Sequence, residues 1–291
     1  MRTCWATQLQ NSPDLKKSIR YEFQRGSAEE AGLALGPSIA KLRATPVSEI
    51  LRASLGTVVL NFLYSGGTVD GWVIPEQPAV TFAEGRQAKV PVLTGSNADE
   101  GTDTIGTPVT LESYRAWLAS QFDDHAEAVF RSYPAQSNAG ARAAFIAVTT
   151  AYQRAHAVRA LAQTTAGSGH RAYLYFFSYP PKGEYAREGL GSFHGLELSF
   201  VGGGYFRPSR WGEPDAADQK LVHIMTGYWL QFAATGDPNR QDLPVWRAFD
   251  PASDNALEIG VKIKEITVPN VERFGVFDTI LLKRLAAATQ P

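Results

Sequence analysis

Two short segments hold the residue types that can move a proton. Gly191 to Leu198 carries His194 and Glu197, and Val92 to Gly101 carries Asn97, Asp99 and Glu100. Each lies just past an apolar, strand-like run, so each presents loop side chains at the end of a strand. A histidine beside a carboxylate can take a proton from a hydroxyl and pass it on, because the carboxylate fixes the imidazole tautomer and stabilises the imidazolium. That pairing is the proton-handling part of a hydrolytic triad. The attacking part is missing from its usual setting. No Gly-x-Ser-x-Gly turn, the strand-to-helix corner that exposes a nucleophilic serine, occurs anywhere in the chain.

Other residues compete for these roles and read as structural. Ser168, between Gly167 and Gly169 and two residues before His170, sits where a turn leads into a strand, the reverse of the order a nucleophile elbow needs. Ser96 reads as a backbone-capping hydroxyl, and Ser27, with a carboxylate three residues on, as a helix N-cap. Cys4, the one cysteine, has no histidine context and excludes an internal disulfide framework. Asp99 is a rival to its neighbour for the acid, and Glu197 reads as a structural carboxylate near a helix start. His125, His156, His170 and His223 lack metal-ligand spacing, so a metal site is not expected.

The elements that must hold these loops alternate along the chain. Val90 to Gly95 and Arg171 to Tyr179 read as buried parallel strands that lie side by side, the second rich in aromatics. Helices are expected through residues 14–54 with short breaks, through 111–163, over Asp215 to Ala234 with Gly236 as C-cap, and from Val271 to Ala287. Pro46 falls near a helix start. Leu257 to Ile259 and Ile263 to Val268 suggest a hairpin around Gly260. Tyr228, Trp229 and Phe232 read as core packing. Helices alternating with isolated strands place the chain in the α/β class.

Composition removes whole classes of function. A net charge of −1 supplies no basic field for nucleic acid or anionic lipid. No apolar run approaches the roughly 18 residues of a membrane span. The first eight residues lack the apolar core of a signal peptide, and the compartment stays open between cytoplasm and export. With 291 residues, 44% hydrophobic and 20% charged, a single large core is feasible.

Four segments together resemble the type-B carboxylesterase family, the α/β-hydrolases that include para-nitrobenzyl esterases and cholinesterases. They are Val69 to Gly71 with Pro75, Val90 to Gly101, Phe193 to Val201, and Tyr228 to Asn239 with Trp246 beyond. The resemblance covers nearly the whole chain but only the C-terminal half of the family's length. It implies the C-terminal part of an α/β-hydrolase fold, an incomplete parallel sheet flanked by helices. Residues 1–291 would form one partial domain without the nucleophile-bearing half. It maps the triad acid to Glu100 and the triad base to His194, with no metal or organic cofactor. The substrate would be a small carboxylic ester, hydrolysed through an acyl-serine once a complementary N-terminal segment is present.

Two departures stand out. The nucleophile elbow and a His-Gly-Gly oxyanion loop are both absent, and Thr149-Thr150-Ala151 has alanine where the family usually has an aspartate. The isolated chain is therefore expected to lack meaningful esterase activity and to be marginally stable alone, with an open sheet edge that invites aggregation. The competing readings are a non-catalytic interaction module, since relatives with lost triads serve in adhesion, and a decayed remnant.

Overall fold

The computed structural model describes residues 19–21, 24–26, 36, 38–50, 69–102, 108–204 and 208–288. Cys4, Ser27 and the apolar run from Ala31 to Leu35 lie outside them. At the N-terminal end the helical expectation is corrected. Ile19–Tyr21 (β1) pairs antiparallel with Gln24–Gly26 (β2), with Tyr21 opposite Gln24. Ile19 and Tyr21 are strand-favouring types, and strands of three residues leave no period to read. Ile39–Ala44 (α1) is helical, with the Ser38 hydroxyl capping the Lys41 amide, and residues 47–50 are helical just after Pro46.

Pro78–Ala83 (α2) precedes Val92–Asn97 (β3). A helical run then follows: Leu111–Phe122 (α3), Ala126–Ser132 (α4), Asn138–Thr150 (α5) and His156–Gly167 (α6). Between α5 and α6 the five residues Ala151–Ala155 form a π-turn rather than an α-turn. Ala172–Phe177 (β4) returns parallel to β3, with Val92 opposite Ala172 and Asn97 opposite Phe177. Short helices Gly183–Arg187 (α7), Leu198–Val201 (α8) and Pro208–Trp211 (α9) lead to the long Ala216–Thr235 (α10). Asn255–Ile259 (β5) joins β4 in parallel, Ile263–Thr267 (β6) folds back antiparallel, and Gly275–Ala288 (α11) follows.

The sheet order is β3-β4-β5-β6, an open mixed sheet. Its β5–β6 hairpin turns at residues 260–262, as the alternation around Gly260 predicts. Side chains alternate across β4 and build two cores. Ala172 and Leu174 face one cluster with Tyr114, Phe122, Tyr152, Phe274 and Phe277. Tyr173, Tyr175 and Phe177 face the other, with Phe200, Trp211, Met225, Tyr228 and Trp246. A strand buried on both faces reads as an unbroken apolar run, which is why β4 was the clearest strand in the sequence. Each fully buried aromatic of this kind contributes on the order of 2 kcal/mol of transfer free energy.

Helix α10 has the ends its sequence promises. The Asp215 side chain accepts from the Ala217 and Asp218 amides, Asp218 returns the bond to the Asp215 amide, and Gly236 takes the left-handed conformation at the C-cap. Among the described residues no helix is long and apolar enough to cross a membrane.

Candidate active site

Parallel register puts the carboxyl ends of β3 and β4 side by side, and both segments read as chemical emerge there. The loop after β3 carries Glu100; the longer excursion after β4 carries His194. The Ala98 amide donates to the Phe177 carbonyl at 2.8 Å, and the Asp99 amide to the Ser192 carbonyl at 3.1 Å. In open α/β sheets this carboxyl-end crevice is where ligands bind.

Glu100 and His194 meet. Glu100 Oε2 lies 2.6 Å from His194 Nδ1. The carboxylate is 4% exposed, while the imidazole side chain is 37% exposed. The other oxygen, Oε1, accepts the Asn97 amide at 2.8 Å, which fixes the carboxylate plane. With Nδ1 hydrogen-bonded to Glu100, the lone pair of the neutral imidazole is carried on Nε2. A fixed tautomer on a half-exposed ring is what proton exchange with a substrate-bound hydroxyl requires.

The rival acid does something else. Asp99 Oδ2 accepts the Ser192 amide at 2.7 Å, tying the acid loop to the histidine loop. Thr102 adds to the tie by donating to the Leu190 carbonyl at 2.6 Å. Gly191 sits at the junction with φ +61°, and a Cβ there would run into the Asp99 carboxylate. Gly191→Ala is therefore expected to cost roughly 2–3 kcal/mol from left-handed backbone and displaced contact together. Urea unfolding checks this, and a loss under 0.5 kcal/mol would contradict the tie.

Glu197 stands at the N-cap of α8. Its Oε2 accepts from Asn97 Nδ2, and the same amide donates to the Phe193 carbonyl at 2.7 Å. Asn97 is completely buried and ties the Phe193 backbone before His194 and the Glu197 side chain after it to the end of β3. Burial is the main cause that pushes the Glu197 carboxyl above its usual value, and the nearby Glu100 charge adds to it. For an acid the sign is clear. A raised folded-state value gives stability that is complete below the unfolded value and lost as pH rises through the folded one. Glu197→Gln keeps an acceptor for Asn97 and removes that loss. Its urea midpoint is expected to equal wild type near pH 4 and to exceed it at pH 8. A midpoint lower at pH 8 than at pH 4, relative to wild type, would contradict this.

The sequence candidates for a nucleophile are placed elsewhere. Ser168 is the C-cap of α6 and donates to the Thr165 carbonyl at 2.7 Å, in a turn leading into β4. Ser96 is buried within β3. Ser192, adjacent to the site, is buried and donates to the Tyr179 carbonyl at 2.8 Å. A second histidine–acid pair, His156 Nε2 to Asp278 Oδ1 at 2.8 Å, joins α6 to α11, but its imidazole is fully buried.

The sequence singles out Glu100 and His194, which the structure brings together, but not the residues that support the pair. Asn97 carried no role in the sequence, though its spacing to Glu100 is that of the amide-to-carboxylate bond. Arg154, whose Nε lies 3.7 Å from Glu100 Oε2, gave no signal. Nor did Asp218, which is fully buried and accepts from Lys182 Nζ at 2.8 Å, the Tyr179 hydroxyl at 2.9 Å and Trp211 Nε1 at 3.3 Å.

Comparison with known proteins places the chain in a family. A carboxylesterase family model matches residues 27–274. Fumonisin B1 esterase of Sphingopyxis macrogoltabida is 31% identical over 237 residues, covering 77% of this chain and 43% of that protein. Para-nitrobenzyl esterase of Bacillus subtilis is 25% identical, over 72% of this chain and 41% of its own length. Phenmedipham hydrolase of Pseudarthrobacter oxydans is 23% identical, over 74% of this chain and 46% of its own length. The chain thus spans less than half the length of these relatives. Its open four-stranded sheet flanked by helices is a partial α/β-hydrolase fold. On the match over most of its length, the chain belongs to the carboxylesterase family.

Proposed function

We propose that residues 1–291 are one partial domain, the C-terminal portion of a serine carboxylesterase, supplying the triad acid and base to a serine on an upstream segment. The observation that carries this reading is the 2.6 Å bond from Glu100 Oε2 to His194 Nδ1 at the carboxyl ends of adjacent parallel strands. The order acid then histidine along the chain agrees with the α/β-hydrolase order of nucleophile, acid, histidine. Strand β3 pairs with β4 alone among the described strands, so its other edge is where an upstream strand would add.

The chemistry follows from the tautomer. His194 Nε2 takes the serine proton as the hydroxyl oxygen attacks the ester carbonyl, and Glu100 stabilises the imidazolium. As the ester C–O bond breaks, the imidazolium protonates the departing alkoxide, which leaves as an alcohol while the acyl group stays on the serine oxygen as an acyl-serine. Water repeats the sequence, releasing the acid and regenerating the serine. Oxyanion donors, each worth about 3 kcal/mol, come with the upstream segment. The substrate is a small carboxylic ester, and the similarity to fumonisin B1 esterase makes fumonisin B1 the first natural ester to try.

A fluorophosphonate probe tests the assignment. The chain alone is expected to stay unlabelled, and the chain mixed with or fused to a carboxylesterase segment bearing Gly-x-Ser-x-Gly is expected to label on that serine. Labelling of the lone chain, or none in a folded fusion, would overturn it.

A further inference from the structure

We propose that Arg154 is a positioning residue for this relay: its guanidinium, beside the Glu100 oxygen that binds His194, keeps the imidazole neutral at rest and sets the pH below which the base is lost. The proposal rests on the esterase reading above and names a control on that same site.

The placement is built into the fold. Arg154 lies in the π-turn Ala151–Ala155, where the extra residue re-aims side chains relative to an uninterrupted helix. That turn and the helix end before it are held from two sides, by the loop after β3 and by α11. The Gly101 amide donates to Thr150 Oγ1 at 3.0 Å, fastening the acid loop to the end of α5. A Cβ at Gly101 would lie 2.7 Å from the Ile146 carbonyl, so the loop rests directly on the helix backbone. From α11, Arg284 donates to the Tyr152 hydroxyl at 2.6 Å. Arg154 itself donates from Nη1 to the Gln153 carbonyl at 3.2 Å, and its side chain is 20% exposed.

The buried Nε has no hydrogen-bond partner and lies 3.7 Å from Glu100 Oε2. That separation is too long for a hydrogen bond but short for two charges in a largely buried site. The guanidinium therefore acts on the relay through its field. Two carboxyl groups act on the imidazole: Glu100, bonded to Nδ1, and Glu197, three residues on in the same loop. Both favour the imidazolium, and Arg154 is a cation set against them. It opposes a second positive charge on the ring and draws part of the Glu100 charge away from Nδ1. A base that is already neutral at working pH does not have to lose a proton before it can accept one from serine.

Histidine-selective 15N NMR titration of the full chain reads this without any need for turnover. Arg154→Gln is expected to raise the His194 midpoint by about 1 pH unit, a roughly tenfold gain in proton affinity. Arg154→Met, which keeps the packing of the stem, is expected to do the same, and Arg154→Lys to stay close to wild type. Glu100→Gln is expected to lower the midpoint. If both neutral Arg154 variants fold and leave it unchanged while Glu100→Gln lowers it, the Arg154 proposal is overturned and the relay stands. If Glu100→Gln also leaves it unchanged, the relay reading itself fails. In a fusion carrying the serine, the acid limb of kcat/KM should move up with the NMR midpoint. A purely structural role would change stability and leave both midpoints in place.

Discussion

In an enzyme completed by a serine-bearing segment, His194→Ala is expected to lower kcat about a million-fold and Glu100→Gln about ten-thousand-fold. Neither change should alter KM by more than a few-fold, because neither side chain is assigned to substrate binding. The histidine figure follows from the triad acting as a unit. Without a base the serine is a neutral hydroxyl, and what remains comes from the oxyanion donors and binding. The glutamate figure follows from a detail of this site. The Asn97 amide donates to Oε1 at 2.8 Å, so a glutamine there keeps its carbonyl oxygen on that bond and turns its NH2 toward His194 Nδ1. A donor facing Nδ1 selects the tautomer with hydrogen on Nε2, which cannot accept the serine proton. Steady-state kinetics on para-nitrophenyl acetate checks both, and a Glu100→Gln enzyme within tenfold of wild type would remove Glu100 from the relay.

Asp218→Ala is expected to be the most damaging change to stability away from the relay, at about 2–4 kcal/mol. The carboxylate is fully buried and accepts from Lys182, Tyr179, Trp211 and the Asp215 amide. Removing it takes one partner from the buried Tyr179 hydroxyl and the buried Trp211 indole N–H, while Lys182 keeps Asp215. For a chain of this size that corresponds to a fall in Tm of about 10 °C. Burial alone would raise the Asp218 carboxyl, but the bonds from Lys182, the Asp215 amide, Tyr179 and Trp211 outweigh it and hold it below the ordinary 3.8. A depressed acid contributes its full stability above the unfolded value and loses it as pH falls through the folded one. The gap between wild type and Asp218→Ala should therefore be constant from pH 5 to 8 and narrow below pH 4. Calorimetry across that range checks it, and a gap that widens below pH 4 would contradict the network. Because Tyr179 and Lys182 begin the excursion that ends at His194, the same variant should also broaden the His194 NMR signals.

Much of this was legible in the residues. β4 alternates large aromatics on one face with Ala172 and Leu174 on the other, and its apolar run has no other reading at that length. Asp215 and Gly236 mark the ends of α10 by their types alone. The acid and base loops could be read because each packs polar residues into a few positions after a strand. What escaped the sequence depends on three-dimensional approach. Arg154 comes to Glu100 from within a π-turn, and π-turns use the same residues as α-turns. Lys182 and Asp218 meet across the gap between α7 and α10, which no local period encodes. The β1–β2 pair was read as helix because strands of three residues have no period at all. Glu100 and Asp99 are adjacent carboxylates, and what separates them is spatial: Asp99 engages the Ser192 amide and Glu100 the imidazole.

The most direct measurement is para-nitrophenyl acetate hydrolysis by the purified chain and by the same chain fused to a Gly-x-Ser-x-Gly segment, each beside its His194→Ala counterpart. The lone chain is expected to match its own variant, and the fusion to release a burst of nitrophenol and turn over while its variant does not. A lone chain that outpaces its His194→Ala form, or a folded fusion that stays silent, would contradict this.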